Sequence, residues 1–169
     1  MLIIMGGLPG TGKSSLAKGL AASLRATHIR IDTIEQALRD FGIAPVTSEG
    51  YEMGYRLAAD NLQIGQTVIA DCVNPIEITR TAWLEVGRRC DVRTIQIETI
   101  CSDREEHKAR IQSRESDIAG LVLPTWEMVL AREYEAWTDA DLIIDTTAET
   151  PQRSLQKTLA LLREKIGER

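Results

Sequence analysis

Residues 7–14 read G-L-P-G-T-G-K-S and fit the pattern G-x-x-x-x-G-K-[ST]. Glycines let the backbone adopt positive φ angles and turn its N–H groups inward. At the start of a helix, such inward N–H groups form a nest that binds an anion. This segment constrains the fold strongly, because a nest of this kind requires a strand before it and a helix after it.

The sequence on either side meets that requirement. Residues 2–6 form a short apolar run, as in a buried parallel strand, and residues 14–24 carry apolar side chains at helical spacing. We therefore predict a loop that binds the phosphates of a nucleoside triphosphate. The predicted nucleotide-binding residues are Gly7, Gly10, Thr11, Gly12, Lys13, Ser14 and Ser15.

Two side chains of this loop have predicted tasks in the chemistry. Lys13 is expected to reach the β and γ phosphates, and the hydroxyl of Ser14 is expected to bind Mg²⁺. The guanine-specificity motif N-K-x-D is absent from the sequence, which favours ATP over GTP. The predicted cofactors are therefore ATP and Mg²⁺.

Strand-like and helical patterns alternate along the rest of the chain. Strands are predicted at residues 2–6, 27–31, 67–71, 91–100 and 141–145. Helices are predicted at residues 14–24, 32–41, 48–63, 75–89, 102–113, 125–137 and 151–166. This alternation indicates an α/β fold, with a five-stranded parallel sheet between two layers of helices. The length of 169 residues suits one domain, and we expect the charged segment 103–124 to form a short lid.

The overall composition argues against some classes of protein. The net charge of -5 is unlike that of a dedicated duplex-DNA binder. Cys72, Cys90 and Cys101 lack C-x-x-C spacing, which indicates reduced thiols in a cytoplasmic protein. No segment approaches the roughly 20 apolar residues of a membrane span, and the N-terminal apolar run is too short for a signal peptide. No pattern indicates the oligomeric state.

Two aspartates stand at the carboxyl ends of predicted strands, where open α/β sheets bind their ligands. Asp32 follows H-I-R-I, and Asp71 ends T-V-I-A-D. In phosphoryl transfer, one carboxylate can accept the proton of the attacking hydroxyl and another can support Mg²⁺. We assign the first role to Asp32, and a role at the magnesium ion or the acceptor to Asp71.

Each of these assignments has a structural alternative. Asp32 and Glu35 match a capping box, so Asp32 could be only the N-cap of its helix. Asp71 could be a turn residue at the end of a strand. Asn74 precedes Pro75, which favours a helix cap over a substrate ligand.

Arg110 and Arg114 are four residues apart in the charged helix, and therefore share one of its faces. Arginines on a lid can neutralise charge on a phosphoryl group during transfer. The alternative is a solvated face, on which Glu106 and Arg110 form an ion pair. His107 has no nucleophile as partner, and is predicted to lie on the surface of this helix.

Large apolar side chains recur at helical spacing in the predicted helix 125–137. These residues are Trp126, Val129, Leu130, Tyr134 and Trp137. We interpret them as core residues rather than as a shelf for the adenine ring.

Several segments together resemble a known group of proteins. They are G-L-P-G-T-G-K-S-S, I-R-I-D, V-I-A-D-C-V-N-P-I-E-I-T-R, C-S-D-R-E-E-H-K-A-R-I-Q-S-R, L-P-T-W-E-M-V-L-A-R-E-Y-E-A-W and L-I-I-D-T. The group is the small P-loop kinases of the zeta-toxin, polynucleotide-kinase and gluconate-kinase type, often described only as AAA-family ATPases. The similarity covers nearly the whole chain and implies an adenylate-kinase-like sheet with a short lid.

The resemblance also implies roles for single residues. Asp32 falls where the group keeps its acceptor-activating aspartate. Arg110 and Arg114 fall where lid arginines contact the ATP phosphates. Asp71 falls at the group's acidic position after the third strand.

One position departs from the pattern of the polynucleotide kinases. These often carry an arginine three residues after the acceptor-activating aspartate, facing the phosphate of the acceptor. Here that position is Glu35, which argues against a phosphorylated or polynucleotide acceptor, although Arg39 or Arg80 could replace the arginine.

These observations predict an ATP- and Mg²⁺-dependent kinase that acts on a hydroxyl of a small molecule. Its predicted catalytic residues are Lys13, Asp32, Arg110 and Arg114, and its predicted magnesium ligands are Ser14 and Asp71. One alternative is a polynucleotide 5′-hydroxyl kinase, which a basic groove beside the loop would favour. Another is an ATP-binding switch protein with slow hydrolysis.

Overall fold

A parallel sheet of five strands forms the centre of the molecule. In the computed structural model, which describes residues 1–167, the strands are β1 (Leu2–Gly6), β2 (Thr27–Arg30), β3 (Val68–Asp71), β4 (Thr94–Ile100) and β5 (Leu142–Asp145). Their order is β2-β3-β1-β4-β5, and every neighbouring pair is parallel. Strand β1 is therefore central, and the glycine-rich loop leaves its carboxyl end.

The register of the sheet aligns the ends of three strands. Met5 in β1 is opposite Asp71 in β3, and Arg30 in β2 is also opposite Asp71. The carboxyl ends of β1, β2 and β3 thus meet at one edge, as expected for parallel strands that carry a site at their carboxyl ends.

Helices cover both faces of this sheet. They are α1 (Lys13–Leu24), α2 (Ile31–Asp40), α3 (Glu49–Gln63), α4 (Glu77–Arg89), α5 (Arg104–Ser113), α6 (Trp126–Leu130) and α7 (Pro151–Ile166). Alternate residues of β1 point to opposite faces, so Leu2 and Ile4 join one core cluster while Ile3 and Met5 join another. The first cluster includes residues of α3 and α4, and the second includes residues of α1 and α7.

The predicted strands and most predicted helices are confirmed, with shifts at their ends. Helix α4 begins at Glu77 after the N-cap Ile76, so the prediction that Asn74 caps this helix is wrong. Asn74 has a φ of 49°, and its side-chain amide donates to the carbonyl oxygen of Met5 at 2.9 Å. Its contact with the end of β1 therefore decides its conformation.

The predicted helix 125–137 is wrong beyond residue 130, where α6 ends. The core prediction is confirmed for Trp126, Val129 and Trp137, which are buried, whereas Leu130 is 54% exposed. Tyr134 is half-buried, and its hydroxyl donates to Glu98. Trp137 reaches the sheet without a helix, and its ring lies where a Cβ on Gly6 would be.

A buried arginine holds this irregular segment in place. Arg80 of α4 is 4% exposed and donates to the carbonyl oxygens of Asn74, Pro75, Glu135 and Ala136. Its guanidinium also lies over the Trp137 ring, 4.9 Å from the centroid. Because these bonds engage all three guanidinium nitrogens, Arg80 has a structural task and does not replace the missing acceptor-facing arginine.

Among the helices within residues 1–167, none has both the length and the apolar character needed to cross a membrane.

Replacing Arg80 should destabilise the fold. We expect Arg80→Leu to lower the free energy of unfolding by at least about 3 kcal/mol, because several carbonyl groups lose a charged donor. Denaturation by urea, followed by circular dichroism, measures the change. Arg89→Leu is the matched control on the same helix, because the Arg89 side chain is 74% exposed and pairs only with Glu85 at the surface. An equal, small effect of both substitutions would contradict the structural task of Arg80.

Candidate functional site

The glycine-rich loop has the backbone conformation of an anion nest. Gly7, Gly10 and Gly12 have φ angles of 134°, 87° and 83°, in the region that favours glycine. Gly12 is the N-cap of α1, and no side chain caps this helix. The first N–H groups of α1 are therefore left without a side-chain acceptor, at the positive end of the helix dipole.

Contacts with the sheet fix the base of this loop. The N–H of Gly7 donates to the carbonyl oxygen of Val73 at 3.1 Å. A Cβ on Gly7 would lie 2.3 Å from the carbonyl oxygen of Thr99, so only glycine fits here. The hydroxyls of Thr11 and Thr99 lie 2.9 Å apart, and Thr99 also donates to the carbonyl oxygen of Gly6. The loop therefore packs directly on the ends of β1 and β4.

Lys13 and Ser14 both meet Asp71 at the end of β3. The ammonium group of Lys13 lies 3.0 Å from Oδ1 of Asp71, and the hydroxyl of Ser14 donates to the same oxygen at 3.1 Å. Lys13 and Asp71 are 7% and 1% exposed, so this ion pair is almost fully withdrawn from water. The structure thus brings together the two residues predicted to bind magnesium and the lysine predicted to bind phosphate.

The second oxygen of Asp71 faces β2. Nε2 of His28 lies 3.1 Å from Oδ2, and Nε of Arg30 lies 3.9 Å from it. Burial by itself raises the pKa of Asp71, but the charge of Lys13 and the hydrogen bonds from His28 and Lys13 outweigh it and lower that pKa below the usual range. Asp71 is therefore held as a carboxylate by Lys13, Ser14 and His28 at the end of β3.

The donor set at Ser14 and Asp71 fits a magnesium ion. Mg²⁺ prefers hard oxygen ligands, and in nucleotide sites it takes one or two from the protein and the rest from phosphates and water. A hydroxyl and an ionised carboxylate 3.1 Å apart at the end of the phosphate loop meet that preference. Within residues 1–167, no cluster of three or more His, Cys, Asp or Glu side chains forms a metal cage.

Asp32 lies in the first turn of α2 and does not cap it. The N-cap is Arg30, and no side chain makes a capping hydrogen bond there, so the predicted capping box is wrong. Glu35, its supposed partner, pairs with Arg39 at 3.0 Å instead. The reason is that α2 begins one residue earlier than predicted, at Ile31. The side chain of Ile31 is buried in the core cluster that also contains residues of β1 and β3. The side chain of Asp32 remains available on the wall of a cleft.

Arg110 and Arg114 also line this cleft. Arg110 donates to the hydroxyl and the carbonyl oxygen of Thr146, both at 2.7 Å, and to Glu106 at 2.5 Å. The predicted ion pair with Glu106 is confirmed and does not prevent Arg110 from lining the cleft. Arg114 is half-buried just after α5, and its Nε is buried with no hydrogen-bond partner among the described residues.

Two contributors to the site were missed by sequence reasoning. His107 was expected on the surface, but it is 7% exposed, and its Nε2 lies 2.7 Å from the carbonyl oxygen of Pro9. Thr146 follows β5, and its hydroxyl lies 2.9 Å from the carbonyl oxygen of Thr11. His107 and Ile111 are the only buried residues of α5, and their i,i+4 spacing in a charged helix was the available signal.

One cleft of about 750 Å³ joins these groups. Its wall includes the phosphate loop with Lys13, and Asp32, Glu35 and Arg39 of α2. Further residues along its wall include Thr47, Tyr51, Val73, Thr79, Leu121, Val122, Leu123 and Arg132. The cleft has space for a nucleotide's phosphates and a second small molecule, since ligand pockets commonly measure 300–1,000 Å³.

The loop, the sheet order and the cleft define a nucleotide-binding protein with a three-layer α/β/α P-loop fold. The APS kinase of Mycobacterium tuberculosis, solved with AMPPNP and APS, has this fold: its TM-score is 0.74 at 16% identity, over 96% of each chain. A sugar kinase from Janibacter sp. HTCC2649 matches with a TM-score of 0.67 at 20% sequence identity, over 95% of this chain and 93% of the sugar kinase. A gluconokinase from Sinorhizobium meliloti 1021 matches with a TM-score of 0.68 at 17% sequence identity, over 96% of this chain and 91% of the gluconokinase.

A family model identifies the chain from its sequence. Residues 2–132 match the model of the AAA domain family, and the chain belongs to that family. The match includes the phosphate loop and ends after α6. No curated protein sequence matches the chain.

The ionised state of Asp71 should make stability depend on pH. Because its pKa is lower in the folded protein, the unfolded chain binds more protons as the pH falls. The stabilisation is therefore present above about pH 4, the usual Asp value, and is lost as the pH falls toward the folded-state pKa. We expect Asp71→Asn to flatten this acid limb in urea denaturation between pH 3 and pH 7.

The exposed Asp60 supplies the control for this measurement. Asp60→Asn should keep the acid limb of the unmodified protein. An acid limb that is equally steep in Asp71→Asn would show that Asp71 does not have a lowered pKa.

Proposed function

We propose that the protein transfers the γ-phosphoryl group of ATP to a hydroxyl of a small molecule. The observation that carries this proposal is that Lys13, Ser14, Asp32 and Arg114 all line one cleft. A carboxylate in this cleft can accept a proton from an attacking hydroxyl, as phosphoryl transfer requires. Three structures of similar fold are named as kinases, for APS, gluconate and a sugar, which also supports this reaction class.

The donor half consists of the phosphate loop and its lysine. In the proposal, the N–H groups around Gly10 and Gly12 and the ammonium group of Lys13 hold the β and γ phosphates. Asp71 keeps Lys13 extended toward this region before ATP binds, at a distance of 3.0 Å. Ser14 and Asp71 would hold Mg²⁺, which when bound neutralises charge on the β and γ phosphate oxygens.

The acceptor half is centred on Asp32. Its carboxylate accepts the proton of the acceptor hydroxyl while that oxygen forms a bond to the γ phosphorus. The bond between the γ phosphorus and the β–γ bridging oxygen breaks, and the electron pair leaves with ADP. The products are ADP and a phosphate monoester of the acceptor. Asp32 makes no side-chain hydrogen bond within the described residues, so its oxygens are free for this contact.

The two arginines of the segment 103–124 serve the transferred group. The guanidinium of Arg114, which has a buried and unpartnered Nε, is the better candidate for direct contact with the γ phosphate. Arg110 already donates to Thr146 and Glu106, so its free donor capacity is smaller. We therefore propose that Arg114 stabilises charge on the phosphoryl group and that Arg110 assists from its fixed position.

The acceptor end of the cleft suits a small molecule better than a polynucleotide. Arg80 is engaged by backbone carbonyls and does not replace the arginine that faces an acceptor phosphate in polynucleotide kinases. Arg39 lines the cleft, where Glu35 pairs with it and places a negative charge beside it. The proposal includes a cytoplasmic location, which is supported by three cysteines that are all free thiols.

A screen by mass spectrometry tests the function. The protein is incubated with ATP and Mg²⁺ in three arms: pooled small-molecule alcohols, an oligonucleotide with a 5′-hydroxyl, and no acceptor. We expect a mass gain of one phosphoryl group in the first arm, absent with Lys13→Ala. A gain only on the oligonucleotide would indicate a polynucleotide kinase instead. ATP loss that is equal in all three arms would indicate an ATPase and overturn the proposal.

Asp32→Asn should separate catalysis from nucleotide binding. We expect transfer to the acceptor found in the screen to fall by about 100-fold or more, because the proton acceptor is lost. Affinity for ADP, measured by calorimetry, should stay within about twofold, because in the proposal the backbone N–H groups and Lys13, and not Asp32, hold the phosphates of the nucleotide.

Asp40→Asn is the matched control for this substitution. Asp40 ends the same helix, is exposed and accepts only from Gln36 among its described neighbours. Its substitution should leave transfer unchanged. If Asp32→Asn keeps full turnover, another group accepts the proton and the assignment of Asp32 is wrong.

A further inference from the structure

We infer that His107 and Thr146 are positioning residues that hold the phosphate loop in its anion-binding conformation. Each side chain contacts a carbonyl oxygen of the loop, and neither is among the residues that line the cleft. The inference rests on nucleotide binding by this loop, but it does not depend on which acceptor is used or on whether transfer occurs.

His107 acts on the peptide between Pro9 and Gly10. A carbonyl oxygen can only accept, so the 2.7 Å contact with Pro9 requires that Nε2 of His107 carries the proton. The imidazole is fixed from the other side by Trp126, whose ring meets it edge-on at 5.3 Å between centroids. One turn further along α5, Ile111 packs where a Cβ on Gly10 would be. Helix α5 is thus docked on the loop by a hydrogen bond and an apolar contact.

Thr146 acts in the same way on the peptide between Thr11 and Gly12. Its hydroxyl has two carbonyl oxygens within reach, of Thr11 at 2.9 Å and of Ile100 at 3.1 Å. The hydroxyl has one proton to donate, and the shorter of the two contacts is the one with Thr11. Arg110 donates to the Thr146 hydroxyl at 2.7 Å, which polarises this hydroxyl toward the loop.

Because the peptide bond is planar, a contact that fixes a carbonyl group also fixes the direction of the N–H of the next residue. In a trans peptide, the C=O of one residue and the N–H of the next point in opposite directions within one plane. A carbonyl of Pro9 held against His107 therefore points the N–H of Gly10 away from α5. A carbonyl of Thr11 held against Thr146 likewise points the N–H of Gly12 away from β5. Both N–H groups are thus directed into the nest before an anion arrives.

The chemistry of the two side chains supports this reading over simple packing. His107 lies beside Trp126 and Ile111, where a leucine would fill the space without a polar group to satisfy. Glycines at residues 10 and 12 allow the unbound loop many conformations. Without the contacts of His107 and Thr146, ordering the loop on binding would cost conformational entropy and weaken the affinity for phosphate. Fixing the peptides beforehand removes part of that penalty.

Calorimetric titration with inorganic pyrophosphate tests the inference, because this probe reports on the phosphate nest without adenine or acceptor. Titration with ADP, in the presence of Mg²⁺, is run in parallel. We expect His107→Leu and Thr146→Val each to weaken both affinities by about three- to tenfold, as for one lost hydrogen bond. Combining the two substitutions should weaken them further.

Conservative variants distinguish positioning from packing. His107→Gln keeps an N–H at the same number of bonds from the backbone and should restore most of the pyrophosphate affinity, although it removes the aromatic ring. Thr146→Ser keeps the hydroxyl and should bind like the unmodified protein. Thr158→Val is the matched control, because Thr158 is fully buried and its hydroxyl donates to a carbonyl oxygen inside α7. It should lower the melting temperature without changing pyrophosphate affinity.

The outcomes separate this inference from the proposed function. If His107→Leu and Thr146→Val bind pyrophosphate as well as the unmodified protein, the positioning role is wrong. If His107→Leu does not fold, the isosteric Thr146→Val and the His107→Gln variant decide. If the two variants lose affinity as expected but the unmodified protein transfers no phosphoryl group, only the proposed kinase function would be overturned. A loop that binds neither pyrophosphate nor ADP in the unmodified protein would overturn both.

Discussion

The buried ion pair between Lys13 and Asp71 links the sheet to the site. Removing two charges from water is unfavourable unless each is well paired. Here Asp71 receives Lys13 and Ser14 on one oxygen and His28 on the other. Because Asp71 ends β3 and Lys13 begins α1, this contact fixes the phosphate loop relative to two strands. The carboxylate thus joins the phosphate loop to the carboxyl end of β3.

Hydrogen bonds from side chains also hold the carbonyl groups of the phosphate loop. Its carbonyl groups are turned away from the nest and accept from the Thr11 hydroxyl, from His107 and from Thr146. Helix α5 therefore docks firmly on the loop, whereas the residues after it follow the cleft toward Asp32.

The errors of sequence reasoning occurred where long-range contacts override local pattern. Asn74 and Pro75 form a favourable helix start, yet the amide of Asn74 bonds to β1 and the helix begins later. The aromatic spacing after Trp126 is helical, yet Arg80 binds the carbonyl groups of that stretch and keeps it irregular. His107 stands in a strongly charged helix, where its i,i+4 spacing from Ile111 indicates a buried face but not that this face packs on the phosphate loop.

The sequence by itself determined the alternation of strands and helices, the phosphate loop and the residues that stand at strand ends. These follow from local rules: apolar periodicity, the freedom of glycine, and the geometry of parallel strands. Only the tertiary structure decided that Asp32 does not cap its helix, that Arg80 is structural, and that His107 and Thr146 support the loop. Each of these depends on partners far away in the chain, because hydrogen bonds and burial are settled by packing rather than by neighbours in sequence.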